Sequence, residues 1–145
     1  GPEEIARQLD SDPEAVEAAI DELEAAGTIR GYSAVLDHQQ RDDGPVRAAV
    51  EVNVTLDRES SYDDIADRIA KFRNVESLHL VSGDFDLLLY VEGDSMREVS
   101  DFISNKVAPV QGVTRTVSHF VMTTYKEQGI EFDDDDGDDR LSVSP

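Results

Sequence analysis

Val46-Arg47-Ala48-Ala49-Val50-Glu51-Val52-Asn53-Val54-Thr55-Leu56 decides the fold. Val46, Ala48, Val50, Val52, Val54 and Leu56 alternate with Arg47, Ala49, Glu51, Asn53 and Thr55, so a strand here shows apolar side chains to one face and polar or small ones to the other. Downstream the period changes. Ser61 and Asp64 have capping-box spacing, with Asp in place of the usual Glu, and Ile65, Ile69 and Phe72 recur on one helical face. Residues 75–82 predict the next strand, Gly83-Asp84 a tight hairpin turn, and residues 85–92, rich in Leu and aromatic side chains, the returning strand. Ser95 and Glu98 repeat the capping box before a helix with Met96, Val99, Phe102, Ile103 and Val107 as its apolar positions, ended by Pro109. Gln111-Gly112 then turns the chain into a long strand rich in Thr and Val over residues 113–125.

Strand, helix, strand, strand, helix, strand is the split βαβ, or ferredoxin-like, pattern of the α+β class. Both crossovers place their helices on one face of an antiparallel sheet, which leaves the other face uncovered. Depending on register, that face carries either Val117, Val121 and Tyr125 or Phe120 and Met122 from the last strand. Either set exposes large apolar groups, so burial against a second copy is expected, giving a homodimer or higher homo-oligomer.

Upstream, residues 38–45 are polar and end in Gly44-Pro45, the mark of a linker. Before it lie two short predicted helices. The first sets Ile5 and Leu9 on one side with Ala6 beside them, and carries Glu3 and Glu4 in its first turn. Asp12 as N-cap and Pro13 at the first helical position open the second, whose stripe is Val16, Ala19, Ile20 and Leu23 and whose end is Gly27. Two such helices joined by a short turn are what a helix-turn-helix requires. Residues 28–37 have β character broken by Gly31, and read either as the wing of a winged helix or as a linker strand. The expected organisation is a winged helix-turn-helix over 1–37, a linker over 38–45, the ferredoxin-like domain over 46–130 and an acidic, disordered tail over 131–145.

Composition narrows the functional classes. The 145 residues carry 13 Lys and Arg against 33 Asp and Glu, a formal net charge of -20, which opposes attraction to nucleic acid and anionic membranes. The charge is uneven: net -9 over 1–43, -4 over 44–126 and -7 over 127–145. Asp outnumbers Glu 20 to 13 and the only lysines are Lys71, Lys106 and Lys126, a balance suited to a molar-salt cytoplasm. Without Cys there is no disulfide, thiol nucleophile or thiolate metal site, and no apolar run approaches the length of a membrane span. No signal peptide is visible, so a cytoplasmic location is the default. His38, His79 and His119 fall in the linker and on two strands, the latter two expected near opposite sheet edges. No triad, phosphate loop or metal-ligand spacing accompanies them, so neither an enzyme nor a cofactor is expected.

The order of domains and several of its residues resemble the Lrp/AsnC family, the leucine-responsive or feast/famine regulators of bacteria and archaea. Pro2 to Leu9, Asp12-Pro13 with Val16, Ile20, Leu23 and Glu24, and Gly27 to Tyr32 are similar to its DNA-binding half. Val75-Glu76-Ser77, Ser82-Gly83-Asp84-Phe85-Asp86-Leu87 and the Thr-rich last strand are similar to its ligand-binding RAM domain. With the acidic composition, the resemblance points to a halophilic archaeal source. It implies a DNA-binding regulator whose RAM domain oligomerises and binds an amino acid between protomers near the 83–84 turn. There Ser82, the N–H groups at Gly83, and Asp84 or Asp86 would meet the carboxylate and ammonium, with hydroxyls from Thr114, Thr116 and Ser118.

This chain departs from the family at two points. The family usually has another helix before this point, and here the sequence begins inside the domain: either it is truncated, with Gly1-Pro2 resembling a cleavage scar, or the first helix is absent. The exposed face of the second helix, where the family carries Arg and Ser, has Glu14, Glu17, Ala18, Asp21 and Glu22 instead. None of these can donate to phosphate, which leaves Arg7 and Arg30 as the candidate phosphate contacts. DNA is therefore a doubtful partner, and the alternative is a RAM-type metabolite sensor, or a partner that assembles with a DNA-binding paralogue.

Overall fold

The structure, a computed structural model, describes residues 1–38 and 43–132; most of the expected acidic tail lies outside them. The chain divides into two compact units, residues 1–35 and the remainder from Leu36 onward.

In the second unit the alternation of residues 46–54 becomes β1 (Val46–Val54), one of the two inner strands of a four-stranded antiparallel sheet. Around it run α3 (Tyr62–Ala70), β2 (Val75–Leu80), β3 (Leu87–Gly93), α4 (Met96–Phe102) and β4 (Val113–Phe120), in the sheet order β2-β3-β1-β4. His79 on β2 and His119 on β4 thus stand on opposite edge strands.

Ala48, Val50 and Val52 of β1 and Leu87, Leu89 and Val91 of β3 are buried against Ile65 and Ile69 of α3 and Val99, Phe102, Ile103 and Val107 of the second helical segment. Each full burial of a Val, Leu, Ile or Phe side chain here contributes about 1.5–3 kcal/mol. Phe72, just beyond α3, and Phe102, the last residue of α4, meet edge to face at 5.6 Å. Both helices therefore cover one face. The register resolves the choice left open by the sequence. Phe120 pairs with Ala48 and packs on the core, whereas Val117 pairs with Glu51 and lies on the uncovered face.

Local chemistry explains the element ends. Ser61 and Asp64 form the full reciprocal capping box, at 3.1 Å in both directions. The second box is only half formed. Ser95 Oγ accepts from Glu98 N–H at 3.0 Å, but the Glu98 carboxylate accepts instead from Asp94 N–H and Asn74 Nδ2, each at 3.2 Å. The helix expected to run through Val107 is α-helical to Phe102 and then widens into a π-helical turn, Ile103–Val107.

Two strand expectations are corrected. Gly83-Asp84 is not a tight two-residue turn: Leu80 pairs with Leu87, and Val81 N–H donates to Asp86 carbonyl at 2.9 Å, leaving residues 82–85 as the loop. The last strand does not continue to residue 125. Val121 N–H still reaches Arg47 carbonyl, but β1 begins at Val46 and offers no further ladder. Beyond it the chain forms a separate small hairpin, β5 (Lys126–Glu127) with β6 (Ile130–Glu131), whose turn residues Gln128 and Gly129 both have positive φ.

The first unit consists of α1 (Pro2–Leu9) and α2 (Pro13–Ala25), with Ala6 and Val16 buried. Asp12 caps α2 by accepting from Glu14 N–H at 3.1 Å. Gly27, at φ +77, ends it, while the N–H groups of Thr28 and Ile29 turn back to Leu23 carbonyl. Residues 28–37 form no strand, contrary to their β character. No strand among the described residues runs beside this segment, and an extended segment becomes a strand only when its backbone groups have a ladder.

Candidate functional site

The C-terminal end of β1 organises the surroundings of residues 82–86. Asn53 Nδ2 donates to Asp84 carbonyl at 2.9 Å, and Thr114 Oγ1 donates to Asn53 carbonyl at 3.3 Å. One residue further, the Asp86 carboxylate accepts from Val54 N–H at 2.7 Å, and Asp86 N–H donates to Val52 carbonyl at 3.0 Å. The loop is thus tied by one side chain and two backbone groups of β1. Ser82, Gly83 and Asp84 are exposed beyond these ties. Gly83 has φ +122 with open space where a Cβ would stand, so its backbone is accessible to a ligand.

Of the seven residues expected around an effector, Asp84 and Thr114 converge on Asn53, with Ser82 and Gly83 adjoining. Asp86 is half-buried and one of its oxygens is engaged in fastening the loop. Thr116 and Ser118 stand in register with the buried Val52 and Val50, on the helix-covered side of the edge strand. They do not join the Asn53 group. Asn53 was not among the expected residues, although Asn is disfavoured inside strands and its presence at the end of an otherwise regular alternation is a signal.

The uncovered sheet face carries Leu88, Tyr90, Ala49 and Val117 together with charged groups. His119 and Glu51 contact at 2.6 Å, His79 meets the Tyr90 ring edge to face at 6.4 Å, and Arg47 reaches Glu127 at 3.6 Å. At the same end the Glu92 carboxyl is pushed up to about 7, by burial first and then by its hydrogen bond to Glu76 and that residue's charge, with Arg47 opposing. No group of three or more metal-ligating side chains occurs among the described residues.

In the first unit Glu14, Glu17, Ala18 and Asp21 are all exposed on α2, as expected, and Arg7 is exposed on α1. Arg7 lines one groove with Glu3, Glu4, Pro13, Glu14 and Glu17, so its positive charge lies within an acidic surround. Arg30 Nε donates to Gly27 carbonyl at 3.0 Å, and Tyr32 hydroxyl donates to Glu24 at 3.2 Å.

The Lrp/AsnC ligand binding domain matches residues 47–130. The chain belongs to the Lrp/AsnC family. Across 144 residues, 99% of this chain and 87% of the relative, it is 38% identical to the uncharacterized HTH-type transcriptional regulator YugG of Bacillus subtilis. It is 27% identical to the leucine-responsive regulatory protein of Escherichia coli over 86% of this chain and 75% of that one. Among solved Lrp/AsnC-type structures, a feast or famine regulatory protein from Mycobacterium tuberculosis in complex with L-methionine superposes with a TM-score of 0.66 at 26% identity, covering 86% of this chain and 82% of that one. These relatives are named as transcriptional regulators and not as enzymes. No helix among the described residues is long and apolar enough to cross a membrane.

Proposed function

We propose that this chain is a DNA-binding transcriptional regulator of the Lrp/AsnC type whose sheet domain assembles with further copies and binds an amino acid. The observation carrying this reading is the identity to a named HTH-type regulator through both units, residues 1–35 included, and not through the sheet domain alone. The two helices of the first unit act as the helix-turn-helix, with Arg7 and Arg30 as phosphate contacts and the exposed α2 residues Glu14, Glu17, Ala18 and Asp21 facing the bases. Glu and Asp can accept from cytosine N4 once other groups hold the backbone.

The effector site lies at Ser82, Gly83 and Asp84 with Thr114, braced by Asn53. The loop N–H groups take an α-carboxylate and the exposed Asp84 carboxylate takes the ammonium; Asp86 acts mainly by holding the loop. The bound L-methionine of the Mycobacterium tuberculosis relative supports an amino acid as the ligand class. Assembly uses the uncovered sheet face, where Leu88, Tyr90, Val117 and Val121 would otherwise meet water. The Asp-rich, Lys-poor surface fits a cytoplasm of molar salt, such as that of a halophilic archaeon.

A second reading is favoured by the acidic exposed face of α2 and the acidic groove around Arg7: a metabolite sensor that does not bind DNA itself and co-assembles with a paralogue that does. Fluorescence anisotropy of the chain's own promoter fragment, titrated from about 0.1 to about 3 M KCl with and without L-methionine, separates the two. The regulator gives a saturable rise that the amino acid alters. A flat signal at every salt concentration overturns autonomous DNA binding and leaves the sensor reading.

A further inference from the structure

β4 carries one residue more than β1 can match. Asn53 pairs with Arg115 and Val54 with Val113, so Thr114 is an extra residue in the ladder, a bulge. The consequence falls on Arg115. Side chains two residues apart on a regular strand share a face, and Val113 packs on the core. A regular β4 would therefore turn Arg115 toward the helices as well. The extra residue turns it instead to the uncovered face, beside Asn53. Both flanks of the bulge are fastened: Thr55 N–H donates to Gly112 carbonyl at 2.8 Å, and Thr114 Oγ1 donates to Asn53 carbonyl at 3.3 Å.

The residue that Arg115 faces is also the one that holds the loop after β2. Asn53 Nδ2 lies 2.9 Å from Asp84 carbonyl, and directly opposed side chains on neighbouring strands stand about 5 Å apart at Cβ. The longer Arg115 side chain thus brings its guanidinium within reach of residues 83–84. Among the described residues that guanidinium forms no ion pair and no hydrogen bond, although the chain carries 33 acids and Asp84 and Asp86 belong to the same loop. The Asp86 carboxylate is engaged by Val54 N–H at 2.7 Å. Arg115 is exposed, and its charge is open to a ligand.

We infer that Arg115 selects the side chain of the effector, and that the effector is an amino acid with a second carboxylate, of the aspartate or glutamate type. This rests on the proposed amino-acid site at residues 82–84. There the loop N–H groups serve the α-carboxylate and Asp84 serves the ammonium, so the two groups common to all amino acids are met without Arg115. What remains is a planar fork of donors with a permanent positive charge, which fits a carboxylate through two parallel bonds. An apolar side chain laid over it displaces its water and leaves it without a counter-charge. An amide of the same shape offers one neutral oxygen in place of two charged ones.

The test is isothermal calorimetry of the full chain at one KCl concentration with L-aspartate, L-glutamate, their amides L-asparagine and L-glutamine, and L-methionine. The better acid should bind at least about tenfold more tightly than its own amide and than L-methionine, the factor expected of hydrogen bonds to a charged group. Arg115→Gln, checked for folding by circular dichroism, should abolish that preference while changing the affinity for the amides less than about threefold. Arg115→Lys should keep part of it. Wild-type binding of the amides or L-methionine as tight as that of the acids, or an undiminished preference in Arg115→Gln, overturns selection by Arg115 and leaves the loop as an amino-acid site. An equal loss for all five ligands in Arg115→Gln also overturns it, by assigning Arg115 to the α-carboxylate. Absence of binding by all five overturns the amino-acid reading of the loop and this inference with it.

Discussion

The Asp86 carboxylate accepts a 2.7 Å hydrogen bond from the backbone N–H of Val54, and Asp86 N–H donates to Val52 carbonyl at 3.0 Å. One residue thus fastens the loop after β2 to the end of β1, where the irregularity between Asn53 and Val54 disturbs the pairing with β4. Asp86→Ala leaves the part-buried Val54 N–H without its acceptor and should cost about 1–2 kcal/mol, read as a lower urea midpoint. Asp86→Asn keeps an acceptor oxygen and should recover much of that loss.

Asn53 acts on the same loop from the side-chain direction. Asn53→Ala removes the donor to Asp84 carbonyl and leaves the Asp86 tie in place. The fold should lose little, about 1 kcal/mol or less, because the bond is exposed. If the effector sits at Gly83 and Asp84, amino-acid affinity measured by calorimetry should fall severalfold, since the loop then pays an ordering cost on binding. Unchanged affinity would move the ligand away from this loop.

Much of this was legible in the sequence because the decisive signals are local. The alternation over 46–54 and the Ser61–Asp64 box each specify their element without reference to anything distant. Where the expectation and the structure part, the cause is a long-range partner. Residues 28–37 have strand propensity but no strand among the described residues beside them, and the strand from Val113 stops where β1 no longer offers a ladder. Glu98 has capping-box spacing, yet Asn74, distant in sequence, supplies a competing donor. Asn53 is the same case at the candidate site: its importance comes from two contacts, Asp84 and Thr114, that only the assembled sheet brings to it.

Glycines at positive φ should separate by their surroundings. Gly112 has φ +99, and a Cβ there would lie 2.8 Å from Ile65 Cδ1 and 3.3 Å from Thr55 carbonyl oxygen. Gly83 has φ +122 but open space around it. Both Ala variants bear backbone strain of about 1–3 kcal/mol, while Gly112→Ala must also displace the fully buried Ile65. Gly112→Ala should therefore have the lower melting temperature of the two. Equal losses would mean that Ile65 yields without cost.

Glu92 gives folding stability a pH dependence of definite sign. Its carboxyl is raised from the ordinary 4.5 to about 7, so the folded chain holds the proton more tightly than the unfolded one. The resulting stabilisation is complete below 4.5, where folded and unfolded chains both hold the proton, and is lost as pH rises through about 7. Glu92→Gln keeps the hydrogen-bonding shape without the ionisation. Urea midpoints of wild type and variant, taken from about pH 5 to about pH 8 at low protein concentration, should converge at the acidic end and diverge at the other, with the variant the more stable. A gap that stays constant across the range would mean that solvent and Arg47 already screen the pair in the single chain, since only a differential proton affinity can make the two midpoints diverge.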